Sequence, residues 1–294
     1  LQTLVCGLAL THPPSDLAIA LVDYKGGASF GACAGLPHVV GIVTDLERGL
    51  AARALTGLQA EMRRREALFA ASGATTLDEH RALARPGDEL VPRLLVVVDE
   101  FRSMTQDLPD FVPSLLRLAA QGRSLGMHLV LATQRPGGAV NADMRANLGL
   151  RVALRVNDPA ESRDVVDTPQ AADLPAHAPG RAVVVTSRSG ARTVQVAHAA
   201  SAAPVDAPDA RRIPAWGTRT ARALGPQTAP DDVLSGLVTA ARSAAGATGQ
   251  APPRRLWLPG LPARVTLDDV EGSGDPRPGL AVALADVPAE QRRT

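Results

Sequence analysis

Residues 94–101 read LLVVVDEF, five apolar side chains running straight into two adjacent carboxylates, Asp99 and Glu100. An unbroken Leu/Val run without polar alternation is the pattern of a strand buried on both faces, as in a parallel sheet covered by helices. In open parallel sheets, ligands sit beyond the carboxyl ends of the strands. Asp99 and Glu100 emerge at that edge, so the segment predicts a central strand that delivers two acids to a site. Taken alone, it also fits a core strand that simply ends in two solvated acids.

Two more segments have the same form. In IALVDYKGGASF, residues 19–30, a strand over 19–22 ends in an acid, a lysine and two glycines, which permit backbone turns that other residues resist. Lys25 is the only lysine in the chain, every other basic side chain apart from histidine being arginine. That bias suggests a position that wants a compact point charge on a flexible stem rather than a planar fork. In MHLVLATQRP, residues 127–136, a strand over 129–132 ends in Thr133, Gln134 and Arg135 before Pro136 stops it. Polar side chains at adjacent strand ends can converge on one ligand. Gln134 is placed there to sense a terminal phosphate or to orient water.

Composition narrows the class. A chain of 294 residues has room for about two domains, and 45% hydrophobic content is enough for a sizeable core. Aromatics are only 2%, so the core must be built from Leu, Val and Ala. Basic and acidic residues nearly cancel, 31 against 30, without the basic excess expected of a protein that grips a phosphate backbone by itself. Cys6 and Cys33 have neither metal-ligand spacing nor a histidine cluster beside them; they read as small buried residues of a reducing compartment. No apolar run reaches the roughly 18 residues of a membrane span, and no signal peptide is visible.

Between the strands, helical periodicity is clear. After Thr44 and Asp45, a candidate cap, Leu46, Leu50, Ala54, Leu58 and Met62 recur every four positions as one apolar stripe, with Arg53 on its flank. Arg63, Arg64 and Arg65 read as a solvated face. A second helix is expected over residues 110–123, carrying Phe111, Leu115, Leu118 and Ala119. Strands over 151–156, 181–186 and 193–197 are expected to complete the sheet. Strands alternating with helices indicate an α/β fold of about 200 residues. Residues 201–230, rich in Ala, Pro, Arg and Thr, read as a linker, followed by a short helix over 231–245 with Val233, Leu234, Leu237, Val238 and Ala241 on one side.

LLVVVDEF resembles a Walker B motif. Together with LVDYKGGASF, GRSLGMHLVLATQRP and RVALRVNDPAESRDVVD, in that order along nearly all of residues 1–200, it resembles the FtsK/SpoIIIE-type motor ATPases. In that family a glycine-rich loop ending in Gly-Lys-Ser/Thr precedes a helix like LQTLVCGLAL, so Leu1 is expected to begin just after a Walker A loop that the chain lacks, and the chain alone is expected to be inactive. The segments over 253–270 and 279–294 resemble the lead-in to a further module in the EccC-type ATPases of type VII secretion. The resemblance implies an α/β, RecA-like P-loop NTPase core, a mostly parallel sheet flanked by helices. Residues 1–200 form the truncated FtsK-like ATPase domain, 201–250 a linker with a short helix, and 251–294 the start of a further module.

It further implies ATP and Mg2+ as cofactors. Asp99 holds the magnesium water shell, Glu100 acts as base and Gln134 senses the γ-phosphate, with Thr133 and Lys25 at the nucleotide-facing edge. Arg53 is the favoured arginine finger, with Arg151, Arg155 and Arg163 as rivals. The implied partners are neighbouring ATPase modules of the same chain or of a hexameric ring, and secreted proteins with helical signals. The implied location is the cytoplasmic face of a bacterial membrane, reached through helices outside this chain. A DNA translocase of the chromosome-partition type and a non-hydrolytic structural module are the alternatives; the first would carry a basic winged-helix domain downstream, and none is visible in residues 201–294.

Overall fold

The computed structural model describes residues 1–24, 29–44, 48–85, 87–107, 111–137, 148–199, 233–257, 264, 286–290 and 292–293. The chain divides into two compact units, each assembled from separated stretches. One comprises Leu1–Pro14, Ala28–His38 and Ala132–Ala251; the other comprises Ser15–Gly27, Val39–Leu131 and Pro252–Thr294.

The second of these holds the parallel sheet. Its strands are β1 (Leu17–Asp23), β2 (Val39–Thr44), β3 (Arg93–Asp99) and β4 (Met127–Leu131), in the order β2-β1-β3-β4 with every pairing parallel. All seven residues of β1 are buried, as are the five apolar residues of β3. Each buried Val, Leu or Ile contributes about 1.5–3 kcal/mol by leaving water. The double-sided burial predicted from the Leu/Val runs is therefore observed. β4, at the edge, is partly exposed at His128 and half-buried from Leu129 to Leu131.

Helix α2 (Arg48–Ser72) supplies one covering layer and continues for ten residues beyond the apolar stripe read from the sequence. Ala54, Leu58 and Met62 are buried as that stripe requires, whereas Asp45 and Leu46 lie outside the described residues. Helix α3 (Leu77–Leu83) starts at a capping box: Thr76 Oγ1 accepts from Glu79 N at 3.2 Å, and Glu79 Oε2 accepts from Thr75 N at 2.8 Å. Helices α4 (Phe101–Asp107) and α5 (Phe111–Gln121) bring Phe101, Met104, Leu115 and Leu118 into the core.

The triple arginine is not a solvated face. Only Arg63 is exposed; Arg65 is 1% exposed and donates to Glu61 Oε1 at 2.8 Å and to the Leu125 carbonyl at 2.8 Å. Arg64 donates twice to Glu61 and once to Glu89, each at 2.9 Å. Burial pushes the Glu61 carboxyl up, but the hydrogen bonds and charges of Arg64 and Arg65 outweigh it and leave the group below the usual carboxylate range. The triplet misleads because one turn earlier Glu61 stands at i,i+4 from Arg65 and can accompany it into the interior.

Leu256 and Trp257 lie in a cleft between β2 and α2. Leu256 N donates to the Val40 carbonyl at 3.1 Å, and Trp257 Nε1 to the Ile42 carbonyl at 3.5 Å. Glycines make the room, since a Cβ on Gly41 would stand 2.5 Å from Trp257 Cε2, and one on Gly57 would stand 2.9 Å from the Leu256 carbonyl oxygen.

The other unit contains α1 (Gln2–Thr11), a 3-10 turn at Gly31–Gly35, and an antiparallel sheet of β5 (Leu150–Leu154), β6 (Arg181–Thr186) and β7 (Ser189–Gln195). The three strands expected to complete the parallel sheet instead form this sheet of their own among the described residues. The two-residue connection between β6 and β7 permits only a hairpin, which fixes that pair as antiparallel. Helix α6 (Pro159–Val166) covers one face through Val166, with Ala153, Ala171, Leu174 and Val183. Helix α7 (Val233–Ala247) buries Leu234, Val238, Ala241 and Ala245, close to the side expected from the sequence. The expected linker over 201–230 lies outside the described residues.

Replacing Glu61 by Leu leaves Arg65 charged and buried, and should cost about 3–5 kcal/mol in urea unfolding. Arg63→Met, on the exposed side of the same helix, should stay within about 0.5 kcal/mol. Equal effects would show the Arg65 pair to be unimportant. Gly41→Ala should expel the indole and shift the Trp257 contribution to fluorescence toward the red; an unshifted spectrum would refute the cleft as Trp257's seat.

Candidate functional site

β1 and β3 run in register from Leu17↔Arg93 to Asp23↔Asp99, and β3 and β4 from Leu94↔Met127 to Val98↔Leu131. Three adjacent strands thus end at nearly one level, and two of them end in Val-Asp. Asp23 is 1% exposed and Glu100 4%, while Asp99 is half-buried. Buried carboxylates demand partners, and neither Asp23 nor Glu100 is left without one.

Glu100 is also conformationally exceptional. Its φ is +55°, one of only two positive values at non-glycine positions among the described residues. A glutamate in left-handed backbone is strained by about 1–3 kcal/mol. The cause is local. β3 must stop at Asp99 and α4 must begin at Phe101, and Phe101 and Met104 are 1% and 0% exposed. One residue in left-handed conformation makes that turn, and the burial of the two side chains behind it offsets the strain. Strain of this kind clusters at functional sites.

Thr133 and Gln134 follow directly from β4 but belong to the other unit. Thr133 Oγ1 accepts from Arg135 N at 3.2 Å, forming a tight turn, and Gln134 is exposed. Arg53 stands half-buried on the second turn of α2, in the same unit as Asp99 and Glu100. Lys25 lies outside the described residues. Among the rival arginines, Arg151 donates to the Val165 carbonyl at 3.2 Å and pairs with Asp167 at 2.6 Å, and Arg155 donates to the Leu174 carbonyl at 3.1 Å. Both brace the unit that contains α6. Arg163 is exposed on α6.

Among the described residues no three His, Cys, Asp or Glu side chains gather into a metal-holding group. The donors at the strand ends are hard carboxylate oxygens, suited to Mg2+, which is commonly bound by one or two carboxylates plus substrate phosphates rather than by a protein cage. No helix among the described residues is long and apolar enough to cross a membrane.

The first 138 residues, which carry β1 to β4 and both acids of LLVVVDEF, match the FtsK/SpoIIIE family. They are an FtsK/SpoIIIE family domain. The chain is 36% identical over 184 residues to the type VII secretion system protein EssC of Staphylococcus aureus, a match covering 62% of this chain and 12% of that protein. It is 33% identical over 178 residues to the ESX secretion system protein YukB of Bacillus subtilis, with 59% and 12% covered. The chain therefore spans about an eighth of the length of these relatives. Among solved structures it is similar to the cytoplasmic domain of the Thermomonospora curvata type VII secretion ATPase EccC, with a TM-score of 0.76 and 27% identity, covering 100% of this chain and 33% of that one. It is also similar to ATPases 2 and 3 of the same organism's EccC, solved with a signal sequence peptide, at a TM-score of 0.66 and 25% identity, with 99% and 47% covered. The fold of this FtsK/SpoIIIE domain is accordingly the α/β fold of P-loop ATPase domains, as expected from the motifs.

Asp23 was not singled out by sequence reasoning, although a signal existed: LVD and VVD both close an apolar strand with the same dipeptide. The left-handed backbone of Glu100 has no such signal, since an acidic pair after a strand fits many turns.

Glu100→Gly and Glu100→Ala both remove the side chain, so their difference isolates the backbone. The glycine variant should be the more stable by about 1 kcal/mol in urea unfolding, whereas at an ordinary helix or strand position alanine is favoured. Alanine as the more stable variant would remove the strain argument.

Proposed function

We propose that this chain is part of an ATP-hydrolysing motor of type VII secretion, coupling nucleotide turnover to protein export. The observation that carries the reading is the pair Asp99–Glu100 at the end of a doubly buried parallel strand, the glutamate held in strained backbone, within an FtsK/SpoIIIE domain. Similarity to EssC and YukB over about 180 residues points to secretion rather than to another use of the fold.

Bound ATP with Mg2+ supplies the transferable phosphoryl group and the charge that neutralises its oxygens. Asp99, short and half-buried, meets the metal's water shell. Glu100, longer and buried, takes a proton from the attacking water. Gln134 reads the terminal phosphate from beyond β4, with Thr133 beside it and Lys25 on the nucleotide-facing edge. Arg53 is the candidate finger for a neighbouring module, an effect worth about 10³-fold or more in phosphoryl transfer. The proposed partners are further ATPase modules, joined in a hexameric ring, and secreted proteins with helical signals; the second of these is supported by ATPases 2 and 3 of EccC, which were solved in complex with a signal sequence peptide. The working location is the cytoplasmic face of a bacterial membrane.

In the full-length protein, Glu100→Gln should reduce ATP turnover by about 10²-fold or more while ATP binding persists. Asp99→Asn should instead weaken the magnesium dependence of nucleotide binding. Turnover near the parent rate in Glu100→Gln would overturn the assignment of the base.

A further inference from the structure

The chain has two cysteines, and they meet. Cys6 and Cys33 are 27 positions apart, and their Sγ atoms lie 3.6 Å apart. Cys6 is on the buried side of α1 with Val5 and Ala9, and Cys33 is in the middle of the 3-10 turn at Gly31–Gly35. They are 2% and 0% exposed, and both are free thiols. Helix α7 closes over the turn: a Cβ on Gly35 would stand 3.1 Å from Val238 Cγ1, and one on Gly31 would stand 4.0 Å from Leu234 Cδ2. All these elements belong to one unit.

A preference for small buried side chains accounts for either cysteine alone, but not for the only two of the chain lying sulfur to sulfur. A disulfide needs about 2.05 Å between the sulfurs, so the pair stands about 1.5 Å of side-chain movement from bonding distance. We propose that Cys6 and Cys33 form a redox pair, which a hydroperoxide converts into an intramolecular disulfide tying α1 to the 3-10 turn.

The electrons balance with one peroxide. The Cys6 thiolate attacks a peroxide oxygen, the O–O bond breaks, and the departing hydroxide takes up the released thiol proton as water, leaving a sulfenic acid on Cys6. Cys33 then attacks Cys6 Sγ, the S–O bond breaks, and the hydroxide leaves with the Cys33 proton as a second water. The two sulfurs together give up two electrons to the peroxide, and a dithiol reductant reverses the step. Burial pushes both thiols up, Cys33 to about 12, and the same balance holds with the two cysteines exchanged. A small uncharged oxidant suits two thiols that a folded oxidoreductase cannot reach.

The test uses the folded chain. Hydrogen peroxide is added under native conditions, and free thiols and intact mass are then read after unfolding. The expected result is joint loss of both thiols, a mass lower by two hydrogens, a single Cys6–Cys33 cross-linked peptide and full recovery with dithiothreitol. In Cys33→Ala, Cys6 should stop at a sulfenic acid that dimedone traps. Thiols that survive, that oxidise separately to sulfinic and sulfonic acids, or that join different chains would each overturn the proposal. The primary readout needs no variant to fold, and it does not depend on ATP turnover.

Discussion

Everything at the candidate site depends on one constraint, the burial of β1 and β3 on both faces. A strand covered above and below can carry no charge along its length, because each unpaired polar group in that interior is costly. Polar residues can appear only where the strands end. Register then decides which of them meet: with Leu17 opposite Arg93, Asp23 must lie opposite Asp99. The acid pair at the sheet's carboxyl edge is a geometric result of two apolar runs of matched length.

The same constraint explains the strain at Glu100. Nothing in the chemistry of a glutamate favours left-handed backbone. Phe101 and Met104 do, because both must return to the core at once after β3 ends. In the unit built around β5, β6 and β7 the backbone is secured differently. Asp158 caps α6 by accepting from Ala160 N at 2.7 Å, and Ser162 Oγ accepts from Ala171 N at 3.0 Å. Asp167 closes the helix in left-handed conformation with φ +58°, paired with Arg151. In the segment RVNDPAESRDVVD, Arg155, Asp158, Ser162 and Asp167 thus act as caps and braces.

What the sequence made legible was local or periodic. The Leu/Val runs marked β1, β3 and β4, and four-residue spacing marked α2 and α7, because burial on one or two faces leaves a repeating trace. What it concealed depended on residues far apart. Arg65 looked solvated until Glu61 and the Leu125 carbonyl came to it, and Trp257 finds its seat only because two glycines over 180 residues earlier leave space. Cys6 and Cys33 meet through a turn that no periodicity announces. β5 to β7 were recognised as strands but placed in the wrong sheet, since strand propensity says nothing about the partner.

On the roles proposed for Asp99 and Glu100 the two acids are not interchangeable, and their environments suggest why. A residue proposed to meet a metal's water shell would hold its carboxylate at the solvent boundary, and half-buried Asp99, at the end of β3 with a short side chain, suits that role. A proton acceptor gains from a fixed position and a water-poor setting, where its interactions are strong. Glu100 has both, its backbone set by the turn and its side chain nearly excluded from solvent. Exchanging the two residue types would put the longer chain on the exposed strand end and the shorter one in the strained turn. Aspartate tolerates left-handed backbone better than glutamate, so the strain would ease while the acceptor withdrew by one methylene. On the proposed role of Glu100, a glutamate in the costlier place is accounted for by reach rather than by backbone comfort.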